Sequence, residues 1–167
     1  MDVPQQSVTG LESNEPCLQI DGLVAQPCLL TSQDLASLPR TRATEWLPNP
    51  YDGVTVQETW SGVRLIDVLG LAQPLPAAHY VRVHAGTFIV PIALAEAENA
   101  LLVDTWNDQP LTVAYGAPWR LVLMGGACFT RVKWIERLEI TAAPGENVGK
   151  AIAQLRSQLR QARSAVG

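Results

Sequence analysis

The chain has 167 residues, 47% of them apolar, with a formal charge of −4, which suits one domain with its own core and leaves no basic footprint for nucleic acid. No apolar run reaches the roughly 18–20 residues of a membrane span, and three cysteines without CxxC spacing exclude a disulfide framework or a zinc site. The first residues have neither a basic nor an apolar signal region, so a cytoplasmic location is expected, or a periplasmic one if the N-terminus was trimmed.

Residues 1–15 are polar and carry Pro4 and Gly10, and they read as a flexible tail. CLQIDGLV (17–24) alternates apolar and polar residues and predicts a strand. After Gln26-Pro27 comes a short apolar segment, 28–30, and then a helix, SQDLASL, capped by Thr31 or Ser32 and stopped by Pro39. A strand is predicted over 40–45, then a Pro- and Gly-rich loop over 46–53 and a second alternating strand over 54–59. Trp60-Ser61-Gly62-Val63 is expected to turn into the helix LIDVLGL.

The middle is strand-dense. Strands are predicted at 80–84, 87–91 and 101–106, with a short helix in PIALAEAEN and a turn at Asn107-Asp108-Gln109-Pro110. The apolar run 119–124 suits a strand covered on both faces, and 131–141 supplies a closing strand. Many short strands with short helices between them make an α+β domain over 16–143. Beyond Pro144-Gly145, in the segment 144–167, Val148, Ile152, Leu155, Leu159, Ala162 and Val166 recur at alternating spacings of four and three. That is the seam of an amphipathic helix, which either packs back on its own domain or, through 146–167, joins a second copy or a partner protein.

Four stretches resemble, in order, the sulfite oxidase-like molybdopterin-binding domain family: LQIDGLVAQPCLLTSQDLASLP, TWSGVRLIDVLGLA, YVRVHAGTFIVPIALAEAENALLVDTWNDQPLTVAYGAPWRLVL and TRVKWIERLEI. The resemblance implies that family's mixed, strand-rich fold, with the C-terminal helix added, and a pterin or molybdopterin cofactor. The family's enzymes hold molybdenum through one cysteine between the "LP" helix and the "W-x-G-V" turn. The corresponding window here, PRTRATEWLPNPYDGVTVQETW, contains no cysteine. It carries Thr44-Glu45-Trp46, similar to a subgroup with a Thr-x-Thr-Pro-Trp-like stretch, some members of which bind a simple pterin. Glu45 stands at the Pro position of that stretch, and residue 42 is Arg.

The expectation is a pterin- or molybdopterin-binding protein without cysteine-ligated molybdenum. The alternatives are a molybdopterin-dependent oxidoreductase with unusual ligation, and an interaction module that dimerises through its last helix. A flat ring is held by aromatic stacking and edge hydrogen bonds, for which Trp46 and Trp60 flank the relevant window, and His84 is a further candidate for the cleft. Trp106 and Trp134 sit in predicted strands and are expected in the core. A phosphate needs fixed positive charge and backbone N–H donors, for which Arg120, Gly125, Gly126, Arg131 and Lys133 are candidates. Cys128, in the same loop, is the one weak candidate for a metal ligand.

Overall fold

The computed structural model describes residues 15–49, 51–127 and 130–166. The tail expected at 1–15 therefore falls almost wholly outside the described residues, as does Cys128.

Among the described residues ten strands form two sheets. The first carries β2 (Cys28–Leu30), β1 (Leu18–Gly22), β10 (Arg137–Thr141), β5 (Tyr80–Ala85) and β6 (Phe88–Ala93), adjacent in that order. β1 and β10 run parallel, Ile20 opposite Leu138, and the other neighbours are antiparallel. The second sheet carries β3 (Arg40–Pro48), β4 (Thr55–Arg64), β7 (Ala100–Trp106) and β8 (Gln109–Pro110). β9 (Arg120–Leu123) pairs with the start of β7, Leu101 opposite Val122.

Alternation along the strands builds the main core. Leu18, Ile20, Val81, Val83, Val90, Ile92, Leu138 and Ile140 point from the first sheet into one cluster. That cluster also takes Val63, Leu102, Leu121 and Leu123 from the second sheet. A smaller cluster, Trp60, Leu101, Val103 and Val122, lies apart from it, with Ala43, Trp106, Leu111 and Met124 packed against it. Leu101 and Leu102, adjacent in β7, fall in different clusters, so the second sheet is apolar on both faces.

The helices are short. Thr31 caps α1 (Ser32–Ala36) with a reciprocal box: its hydroxyl accepts from the Asp34 N–H, and the Asp34 carboxylate accepts from the Thr31 N–H at 2.8 Å. α2 (Leu65–Gly70) buries Leu65, Val68 and Leu69. α3 (Val148–Ala165) is capped by Asn147, whose side chain accepts from the Lys150 N–H.

Several expected boundaries move. β3 continues through Trp46 to Pro48 where a loop was predicted, because Leu47 and Pro48 pair with Val56 and Thr55. Pro48 lacks a donor, yet it is tolerated since β3 is an edge strand. Trp60, Gly62 and Val63 remain in β4, and the register shifts between Ser61 and Gly62. A Cβ on Gly62 would lie 2.1 Å from the Leu102 carbonyl oxygen, so only glycine fits there. The helix predicted in PIALAEAEN is a 3-10 helix starting later, at Leu94, since Pro91 to Ala93 belong to β6. Only the last five residues of the predicted closing strand, Arg137–Thr141, are strand. Trp134, at φ +56°, breaks it and lies half exposed, not in the core.

Candidate functional site

The face of the second sheet that carries the smaller cluster also carries the chemistry. β-pairing sets Trp60 opposite Ala43 on one side and Trp106 on the other, and Arg120 opposite Val103. Glu45, two residues beyond Ala43, points the same way as Ala43. The Leu121 N–H donates to the Val132 carbonyl at 2.8 Å, which lays the 130–134 segment along β9 and brings Arg131 to this face.

Glu45 and Arg131 form a covered ion pair, their side chains 9% and 11% exposed. The other Glu45 oxygen accepts the Gly125 N–H at 3.2 Å, so one carboxylate ties β3 to both ends of the loop after β9. Arg120 lies with its guanidinium 4.9 Å above the Trp60 ring and donates to the Tyr115 carbonyl at 3.3 Å. Burial, and then the positive charge of Arg131, push the Arg120 guanidinium below its ordinary value, with Glu58 pulling the other way. Trp106 stacks on Tyr115 at 4.4 Å and lies 6.4 Å from Trp60.

This arrangement leaves donors without acceptors. Trp60 Nε1, Trp106 Nε1, Arg120 Nε and one Arg131 Nη are buried and make no hydrogen bond among the described residues. An unpaired buried donor costs about 1–3 kcal/mol, more when charged. Four N–H groups in one neighbourhood call for an acceptor-rich or anionic molecule. Lys133 is the third cation. Gly116, at φ +114°, sits between Lys133 and Arg120; a Cβ there would meet Lys133 Cγ at 3.0 Å and Arg120 Cβ at 3.2 Å. Beside Arg131 and Lys133 a cleft of about 290 Å³ opens, lined also by Ala85, Phe88 and Trp134.

The residues singled out from the sequence divide. Arg131 and Lys133 line this cleft; Trp60, Arg120, Gly125 and Gly126 do not, and connect to those two through Gly116, packed between Arg120 and Lys133, and through Glu45, bonded to Gly125 and Arg131. Gly125 contributes through its N–H to Glu45, and Gly126 packs tightly, a Cβ there falling 2.6 Å from Thr130 Oγ1. Thr44 and Trp46 lie on the other face of β3 by alternation. Thr44 bonds Thr59 at 3.1 Å, and Trp46 is 67% exposed. His84 belongs to the first sheet, is buried and does not line the cleft. Its Nε2 lies 3.5 Å from Glu139, in a charged network with Arg82, Arg137 and Asp21. Sequence reading missed Glu45, Trp106 and Tyr115. An acid in the odd-numbered, inward register of β3 was the available signal for Glu45.

Residues 4–148 match the family described as the oxidoreductase molybdopterin binding domain. The chain belongs to that family. The uncharacterized oxidoreductase YuiH of Bacillus subtilis (strain 168) is 31% identical over 127 residues, which are 74% of this chain and 64% of YuiH. A Neurospora crassa nitrate reductase (NADPH) is 30% identical over 102 residues, 53% of this chain but 10% of that enzyme. The chain therefore spans less than two thirds of the length of these relatives. The fold is that of the sulfane dehydrogenase SoxCD from Paracoccus pantotrophus, at a TM-score of 0.70 and 23% identity over 87% of this chain and 41% of that one. This is the sulfite oxidase-like fold that the four sequence stretches resembled.

A family cofactor can be tested against the residues present. The donor chemistry suits a phosphorylated pterin: four buried N–H groups lack an acceptor, and two cations, Arg131 and Lys133, line the cleft. A thiolate-held molybdenum does not. No cysteine occurs from residue 29 to 127. Arg42, four residues before Trp46, is paired with Asp108 at 2.7 Å on the exposed face, and Glu45 is committed to Arg131. Among the described residues no group of three or more His, Cys, Asp or Glu is placed to hold a metal ion. Cys28 lies on the first sheet, where burial and then Asp34 push its thiol up.

Proposed function

We propose that this chain binds a phosphorylated pterin of the molybdopterin type and does so without cysteine-ligated molybdenum. The reading rests above all on the four buried N–H groups of Trp60, Trp106, Arg120 and Arg131 that lack an acceptor. Arg120, Arg131 and Lys133 supply the positive charge for the phosphate. The indole N–H groups of Trp60 and Trp106 address the acceptor-rich ring. Tyr115 backs Trp106 by stacking, and Glu45 holds Arg131 in place.

When bound, molybdopterin supplies a dithiolene able to carry a metal and a ring able to exchange electrons. The chain's own residues bind and orient it and exclude water from its phosphate side. No residue here is assigned a proton or electron to move.

The test is to express the protein in a bacterium that makes the cofactor, purify it, release the pterin oxidatively and separate it by fluorescence chromatography. A phosphate-bearing molybdopterin derivative is expected, with molybdenum well below one per chain. An empty protein would overturn the reading. A simple pterin without phosphate would remove the role given to the three cations.

A second reading, a molybdopterin-dependent oxidoreductase with unusual ligation, draws on YuiH being named an oxidoreductase and on the nitrate reductase relatives. It requires one molybdenum per chain and loss of that metal in Cys128→Ser.

A further inference from the structure

The added helix α3 is a cantilever. Val148 and Gly149 at its start, with Ile152 and Ala153 half covered, pack toward β6, and every residue from Gln154 onward is exposed. Twelve residues at about 1.5 Å each project roughly 18 Å from the body. Leu155 and Leu159 stand 56% and 55% exposed on one face, in line with Ile152, Ala162 and Val166. A groove of about 520 Å³ along Asn147, Val148, Ala151, Ile152 and Leu155, with Glu146 at its end, continues this stripe to the base of the helix. Helices of this length are marginal in water alone, so an uncovered apolar seam asks for a partner.

Charge says what kind. Residues 148–166 contain Lys150, Arg156, Arg160 and Arg163 and no carboxylate, in a chain that is acidic overall. With Leu155 and Leu159 in the seam, Arg156 and Arg163 follow the seam residues Leu155 and Ala162 directly. They fall in the flanking row that meets a partner helix's own flanking row. The opposite flank holds Ala151, Gln158 and Ala165, so the helix offers no acid to a second copy of itself. Antiparallel self-pairing would set these arginines against one another, and parallel pairing would bring eight like charges together.

We infer that α3 is a docking helix for an acidic amphipathic helix of another protein, with apolar residues in its seam and Glu or Asp along its flanks. The apolar stripe supplies the contact area, and Arg156 and Arg163 set register and partner choice. This is separate from the cofactor reading, because the apolar stripe of α3 is exposed and no residue of α3 lines the cleft.

The probe is a fluorescent synthetic helix with Leu at both seam positions and Glu on both flanks, titrated with the full-length protein and read by anisotropy. A copy with Lys in place of Glu is the control. Saturable binding of the acidic peptide is expected, lost in Leu155→Asp and weakened about tenfold or more in the double variant Arg156→Glu, Arg163→Glu. Both leucines are exposed, so the variants should keep the wild-type melting curve, and circular dichroism checks that. Each of these results overturns the inference: no saturable binding up to about 100 μM, equal binding of the Lys peptide, or a concentration-dependent dimer that Leu155→Asp dissolves. Tighter binding to phosphatidylglycerol vesicles than to the acidic peptide would overturn it in favour of a membrane surface.

Discussion

Removing the Glu45 carboxylate should be among the costliest single changes on the site face. Glu45 and Arg131 are about nine-tenths covered, and the carboxylate also accepts the Gly125 N–H. Glu45→Ala strands a covered guanidinium without its counter-charge, which costs about 3–5 kcal/mol. For a chain of this size that lowers Tm by roughly 6–20 °C. Glu45→Gln keeps an acceptor for Gly125 and loses only the charge, so it should cost about half as much. The double variant Glu45→Leu, Arg131→Leu removes both charges together and should fall within about 2 kcal/mol of wild type. Urea unfolding of wild type, Glu45→Leu, Arg131→Leu and the double variant closes a double-mutant cycle with a coupling of several kcal/mol. Phosphate adds a second arm. In Glu45→Ala the Arg131 charge beside Arg120 and Lys133 is no longer offset by a carboxylate, and phosphate at about a hundred times its Kd should restore about 2.7 kcal/mol. A single variant costing less than about 1 kcal/mol, or additive losses in the double variant, would refute the claim that this pair is a closed unit.

Arg120→Ala should lower pterin affinity roughly 10- to 150-fold, the worth of a charge-assisted bond, measured as pterin retained after gel filtration. Thr44→Ala and Trp46→Ala should leave retention unchanged, because both side chains lie on the opposite face of β3; a loss in either would place the cofactor on the wrong side of the sheet. His84 is held below its ordinary pKa first by burial and then by Arg137, with Glu139 opposing and Arg82 adding to the shift. The unfolded chain thus takes up this proton more readily, so stability is full above about pH 6.5 and falls as pH drops through that value. Thermal melts from pH 7.5 to 5.5 should show this slope, and His84→Gln should flatten it. Gly62→Ala forces a Cβ to 2.1 Å from the Leu102 oxygen and should cost roughly 3 kcal/mol or more, read by denaturation.

The fold was legible because its elements carry strong local signals. The alternation of 17–24 and 80–84, the capping pair Thr31 and Asp34, and the seam of 148–166 each produced the expected element. The site was half legible. Arg120, Arg131 and Lys133 stood out as cations near glycines, and Trp60 as an aromatic beside the family's cofactor window. Thr44 and Trp46 were assigned to the cleft because they match the subgroup's Thr-x-Thr-Pro-Trp-like stretch and Trp46 was read as opening a loop. Once β3 runs on to Pro48, alternation turns both of them away and turns Glu45 in. Trp106 was expected in the core, and its stacking on Tyr115 depends on a contact between β7 and the turn before β9, which no local pattern announces. The same holds for Trp134, whose left-handed backbone could not be read from an apparently continuous strand.

The parallel pairing of β1 with β10 has a consequence for synthesis. β10 lies at the centre of its sheet, between β1 and β5, yet of the described strands it is the last to leave the ribosome. β3, β4, β7 and β9 all lie within residues 40–123 and can pair while the chain is still growing. Until residue 141 emerges, β1 and β5 each wait with a bare backbone edge and apolar side chains such as Leu18, Ile20 and Val83 unburied. A nascent chain stalled before β10 would therefore be a ready client for chaperones, and a premature stop codon there should give aggregated protein although the strands of the second sheet are already complete.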